Sequence, residues 1–143
     1  MNSKTMKDVI IKIKGTQGLD LGDAEVIEFT TEGTMETTDD GYVLRYDEGQ
    51  MMGLGRVNTT LTAKSGGTVV LDREGELSSR LIIKHGRRTS CFYSIPQGEL
   101  TLGIYGKNVE VNLNETGGTV KLEYAIDTDM KPLSNNIVEI EVK

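Results

Sequence analysis

A thiol beside an imidazole is the pairing that makes a strong nucleophile, and this chain of 143 residues holds one of each, Cys91 and His85. Ser90 and Ser94 offer the hydroxyl version of the same chemistry. The local pattern argues against it. If Leu81 and Ile83 pair with Thr89, Cys91 and Tyr93, one face of a hairpin is consistently apolar and His85 falls in its turn. Two groups that must meet within ~3 Å would then stand several strand steps of ~3.3 Å apart. Cys91 reads instead as a small buried hydrophobe.

Metal chemistry lacks its ligands. A single histidine cannot build a zinc site of two or three imidazoles, and no cysteine cluster replaces them. Asp39-Asp40 and Asp127-Thr128-Asp129 pair acids in loops, without the glycine and distant glutamate of a calcium loop. Gly53-Leu54-Gly55 lacks the third glycine and following helix of a dinucleotide fingerprint. No metal, no cofactor and no catalytic constellation is therefore expected, and the chain does not read as an enzyme.

Two groupings rise above this background. From Leu77 to Gly98 there is no Asp or Glu, while Arg80, Lys84, Arg87 and Arg88 lie in that window with His85. In the hairpin register above, Arg80, Lys84 and Arg88 share the outward face with Ser90, Phe92 and Ser94. Such a face attracts phosphates, an acidic protein or an anionic headgroup, or it serves as ion-pair partner to acids on neighbouring strands. The second grouping is aromatic. Tyr42, Tyr46, Tyr93 and Tyr124 all fall on inward positions, where a phenol needs a hydrogen-bond partner. Either their hydroxyls reach water at the ends of the fold, or they line a wet cavity that orients a ligand.

The elements that hold these residues are strands. Sixteen Thr, 11 Val and 11 Ile against 3 Ala favour a pleated backbone, and 17 Gly supply turns. Alternation of apolar and polar residues divides the chain into about ten runs. Ile27 and Phe29 are expected to face inward, with Glu28 and Glu32 in water. Asp39-Asp40-Gly41 is a hairpin signal, followed by Tyr42, Leu44 and Tyr46 on one face and by Val57, Leu61 and Ala63 on the next strand. Leu100, Leu102 and Ile104 alternate as far as Gly106; Val109, Val111 and Leu113 form a further run, and Val120, Leu122, Tyr124 and Ile126 another. Leu19 to Ala24 reads as a short helical turn, Gly49 to Gly53 as a bend, and Asp127 to Asn136 as a polar loop before a last strand, Ile137 to Val142. Consecutive strands with short turns make an antiparallel meander, and one of this length closes on itself to remove its edges. The expected architecture is all-β, a single closed antiparallel barrel of about 8–10 strands spanning residues 1–143.

Charge and cysteine usage set the surroundings. The net charge of −6 argues against nucleic acid as a partner. The lone cysteine points to a reducing compartment. No run of ~20 apolar residues calls for a membrane, so a soluble, cytoplasmic protein is expected.

The order of short motifs also resembles the YwiB-like family. These motifs are Val26-Ile27-Glu28-Phe29 with Thr31 and Gly33, Tyr46 and Glu48, Leu54-Gly55 with Val57 and Thr59, Arg73 with Gly75, Gly98-Glu99-Leu100, and Leu113-Asn114-Glu115 with Gly117 and Tyr124. The resemblance runs from about Val9 to Val142. It implies a small bacterial β-barrel with a calycin- or lipocalin-like fold and no established activity, and it supplies no catalytic residue. Arg73, Glu48 and Glu99 match its pattern and suggest a polar cluster or a structural ion pair. The reading that results is a non-enzymatic barrel taking a small apolar or anionic ligand against Tyr42, Tyr46, Tyr93 and Tyr124, with a homodimer left open. The alternative is a protein or RNA interaction module on the outer face around Arg80, Lys84 and Arg88.

Overall fold

The computed structural model of the chain describes residues 5–19, 24–49, 55–75, 78–95, 98–129 and 131–143, without the side chains of Leu19, Tyr93, Ser94 and Ile95. Ten strands follow one another: β1 (Thr5–Leu19), β2 (Glu25–Thr38), β3 (Gly41–Asp47), β4 (Val57–Lys64), β5 (Thr68–Gly75), β6 (Ser79–Lys84), β7 (Arg88–Ile95), β8 (Gly98–Asn114), β9 (Gly117–Thr128) and β10 (Lys131–Val142). Each pairs antiparallel with its neighbour in sequence, and β1 pairs with β10 to close the barrel. The helical turn expected from Leu19 to Ala24 and the bend expected from Gly49 to Gly53 fall largely outside the described residues.

Register stacks the interior into layers. A ring of apolar side chains, Met35, Leu44, Leu61, Leu71 and Leu81, lies opposite one another on β2 to β6. Together with Ile11, Ile104 and Leu122 it fills the middle of the barrel, each residue essentially inaccessible to water. One layer toward one end, the same strands present Gly33, Tyr46, Thr59, Arg73 and Ser79, and β7 continues the row with Tyr93. One layer toward the other end stand Thr37, Tyr42, Ala63, Val69 and Ile83. The barrel thus has an aliphatic middle with a polar layer on one side.

Turn chemistry follows the sequence. Thr38 pairs with Gly41 across a two-residue loop, and Gly41 has φ +150° with its Cα against the Ala63 carbonyl, a place where a Cβ would collide.

Two elements depart from expectation. The runs Leu100–Ile104 and Val109–Leu113 belong to one strand, β8, in which the register shifts between Gly106 and Asn108. The extra residue of this bulge moves the inward positions from even to odd numbers. Gly106, where the first run was expected to end, is where β8 meets the β6–β7 connection: its N–H donates to Arg87 O at 3.1 Å, and Gly86 N–H donates to Gly106 O at 2.7 Å. Val109 N–H, released by the bulge, donates to His85 Nδ1 at 3.2 Å. The polar loop expected from Asp127 to Asn136 is largely strand. β10 begins at Lys131, with a second register shift between Pro132 and Ser134. Ser134 and Asn136 occupy inward positions in the polar end of the barrel, so no apolar alternation marks them.

Candidate functional site

The polar layer is built around Glu48. Asp47 Oδ1 accepts from Gly49 N–H at 2.9 Å and from Val57 N–H at 3.1 Å, while Glu48 N–H donates to Val57 O at 3.0 Å. These two backbone donors hold the Asp47 carboxyl below the usual carboxylate range. They also fix the chain so that alternation sends Tyr46 and Glu48 inward and Asp47 outward.

Glu48 is 2% exposed. Its Oε1 accepts from Thr59 Oγ1 at 2.6 Å and from Arg73 Nε, two partners that sit opposite each other on β4 and β5. Burial works against the Arg73 charge, but Glu48 outweighs it and holds the guanidinium firmly protonated. Tyr46 lies opposite Thr59 on the other side. Burial, reinforced by the Glu48 charge, pushes its phenol well above the ordinary tyrosine value, so the hydroxyl keeps its proton and remains a donor. From the far wall, Tyr124 on β9 and Asn136 on β10 lie opposite each other, and Asn136 Nδ2 donates to Ser134 Oγ at 3.1 Å.

Between these walls is a cavity of about 160 Å³, close in size to cavities that hold a benzene ring. Tyr46, Glu48, Arg73, Tyr124 and Asn136 give its polar wall, and Ile13, Leu71 and Val138 its apolar one. It opens toward the rim at Gln17, Glu25 and Ile27, which are exposed. Ser79, in the same layer and 9% exposed, carries a hydroxyl that is sealed from water and has no hydrogen bond among the described residues.

The tyrosines expected to share one lining are divided. Tyr46 and Tyr124 meet at the cavity. Tyr42 keeps its inward position but lies at the opposite end, in a wider hollow of about 540 Å³ with Ala63, Val109, Val111 and Leu113. The Tyr93 backbone lies in the polar layer opposite Ser79, and its side chain is outside the described residues. Period-two alternation gives the face of a residue and not its depth, which is why one row of inward tyrosines covers two ends. Of the three polar residues singled out by the family resemblance, Glu48 and Arg73 join and Glu99 stands exposed on β8.

The basic face is outward, as its spacing predicts, and two of its cations are engaged. Arg88 reaches from β7 over Gly103 of β8 to Asp127 of β9, with Nε at 3.0 Å and Nη2 at 2.6 Å from the two carboxylate oxygens. A side chain at position 103 would block that path. Arg80 lies 3.4 Å from Asp72. Lys84 and Arg87 carry no ion pair among the described residues, and Phe92 projects beside this face at 66% exposure. Cys91 is buried inside the barrel with its thiol pushed up by desolvation, while His85 lies at the hairpin tip with Nδ1 occupied, so the fold does not bring the two together.

Among the described residues no group of three or more His, Cys, Asp or Glu is placed to hold a metal ion, and no helix is long and apolar enough to cross a membrane.

Residues 11–140 match the family described as a domain of unknown function (DUF1934). The crystal structure of the YwiB protein from Bacillus subtilis superposes with a TM-score of 0.76 at 26% sequence identity, covering 96% of this chain and 93% of that one. No curated protein matches the chain.

Proposed function

The chain belongs to the DUF1934 family of barrels without an assigned activity, and from that premise we propose that it is a non-enzymatic binding protein that holds a small molecule in the cavity between Tyr46, Glu48, Arg73 and Tyr124. One observation carries the reading. A buried ion pair and two phenols stand beside aliphatic walls around an open volume of about 160 Å³, which is the usual composition of a ligand site: apolar surface for affinity and a few convergent polar groups for orientation. A core built for stability alone would be filled there, as it is one layer below at Leu44, Leu61 and Leu71. The calycin-like mode of use, a barrel receiving its ligand through one mouth, is an analogy from fold that agrees with this placement. The buried free thiol of Cys91 suits a reducing, cytosolic setting.

Native mass spectrometry of freshly purified protein tests the reading. A bound mass should survive gentle ionisation and disappear from Val138→Phe, which fills the apolar wall. A wild-type mass equal to the bare chain, together with no melting shift across a panel of small amphipathic molecules, removes it. Oligomeric state is read from the same spectrum.

A further inference from the structure

Resting on the cavity as the binding site, we infer that its ligand is an uncharged molecule whose polar head is a hydroxyl group, and that the site rejects the carboxylate of the same skeleton. The charge arrangement carries this. Among the described residues Arg73 is the one cation on the cavity wall and is matched by Glu48, and the remaining charged side chain on the lining, Glu25 at the rim, is an acid. An entering carboxylate would lose its water beside a guanidinium already neutralised and a buried like charge, an unfavourable exchange.

The hydrogen-bonding capacity left over has a definite sense. Both bonds to Glu48 fall on Oε1, and no donor among the described residues reaches Oε2. The Tyr46 hydroxyl makes no hydrogen bond among the described residues and retains its proton. One wall therefore offers an acceptor and its neighbour a donor. A hydroxyl satisfies both, because it donates once and accepts as well. A carbonyl meets only the donor, and a carboxylate has no proton to give Oε2. The aliphatic remainder lies along Ile13, Leu71 and Val138 toward the exposed Ile27.

The test uses a matched pair, 1-octanol and octanoate, titrated at pH 7.5 into the full chain with binding read by calorimetry or by amide shifts of residues lining the cavity. Octanol should bind at least about tenfold more tightly than octanoate, and Tyr46→Phe should weaken octanol by about tenfold, as expected for one hydrogen bond to a buried group. Glu48→Gln frees the Arg73 charge and should invert the preference, raising octanoate affinity by about tenfold or more. Octanoate binding wild type as well as octanol would overturn the inference and leave the cavity as a binding site. Failure of both probes to bind would overturn the inference and the binding reading together. The Tyr46→Phe arm, which removes a single oxygen, decides the matter if Glu48→Gln does not fold.

Discussion

Replacing Arg73 by Met tests the electrostatic design most directly, since the thioether keeps much of the stem volume while removing the charge and the Nε–H that donates to Glu48. Glu48 would then be a carboxylate at 2% exposure with the Thr59 hydroxyl as its remaining bond. Breaking a buried pair in this way costs about 3–5 kcal/mol. The lower end applies here, because the Arg73 side chain is itself 15% exposed and the cavity is open to water. Unfolding entropy of ~2.1 cal/mol/K per residue turns a loss of about 3 kcal/mol into a fall of roughly 10 °C in Tm. Glu48→Gln should cost less, about 1–2 kcal/mol, because its amide still accepts from Thr59 and the abandoned guanidinium can reach solvent. The Arg73→Met/Glu48→Leu double variant should recover most of the loss. Urea denaturation at pH 7 measures the loss. An Arg73→Met protein within about 1 kcal/mol of wild type refutes the account.

Gly106→Ala should destabilise by about 2 kcal/mol or more, read as a lower urea midpoint, since its Cβ would overlap the Lys84 carbonyl where β8 meets the β6 end. Cys91 should react with a colorimetric disulfide reagent at pH 8 roughly a hundredfold more slowly in the native protein than in guanidinium, because burial both shields the thiol and raises its pKa, leaving less thiolate; equal rates would place it outside the barrel.

Much of this fold is legible from alternation. Leu44 and Tyr46 against Leu61 and Thr59 set the β3–β4 face, and Asp39-Asp40-Gly41 marks the loop between β2 and β3, because local sterics and burial dictate both. The Lys107 bulge leaves no such trace: a single inserted residue between two well-formed runs looks like a turn until the partner strand is known. The start of β10 is hidden for a different reason. Ser134 and Asn136 face a polar layer, so their burial carries no hydrophobic signature. At the site, Glu48 and Arg73 stand out in the sequence as a polar pair, yet their union depends on the stagger between β3 and β5, a quantity set by ring closure and not by either strand alone.

The aliphatic ring at mid-barrel gives the molecule the form of a cup and not of a pipe. A molecule seated above Leu44, Leu61 and Leu71 has to depart by the rim through which it arrived. Among the described residues Gln17, Glu25 and Ile27 stand at that rim, so substitutions there bear on how fast a molecule leaves. Changes around Tyr42 at the base alter how firmly the vessel holds its shape and leave the speed of emptying untouched.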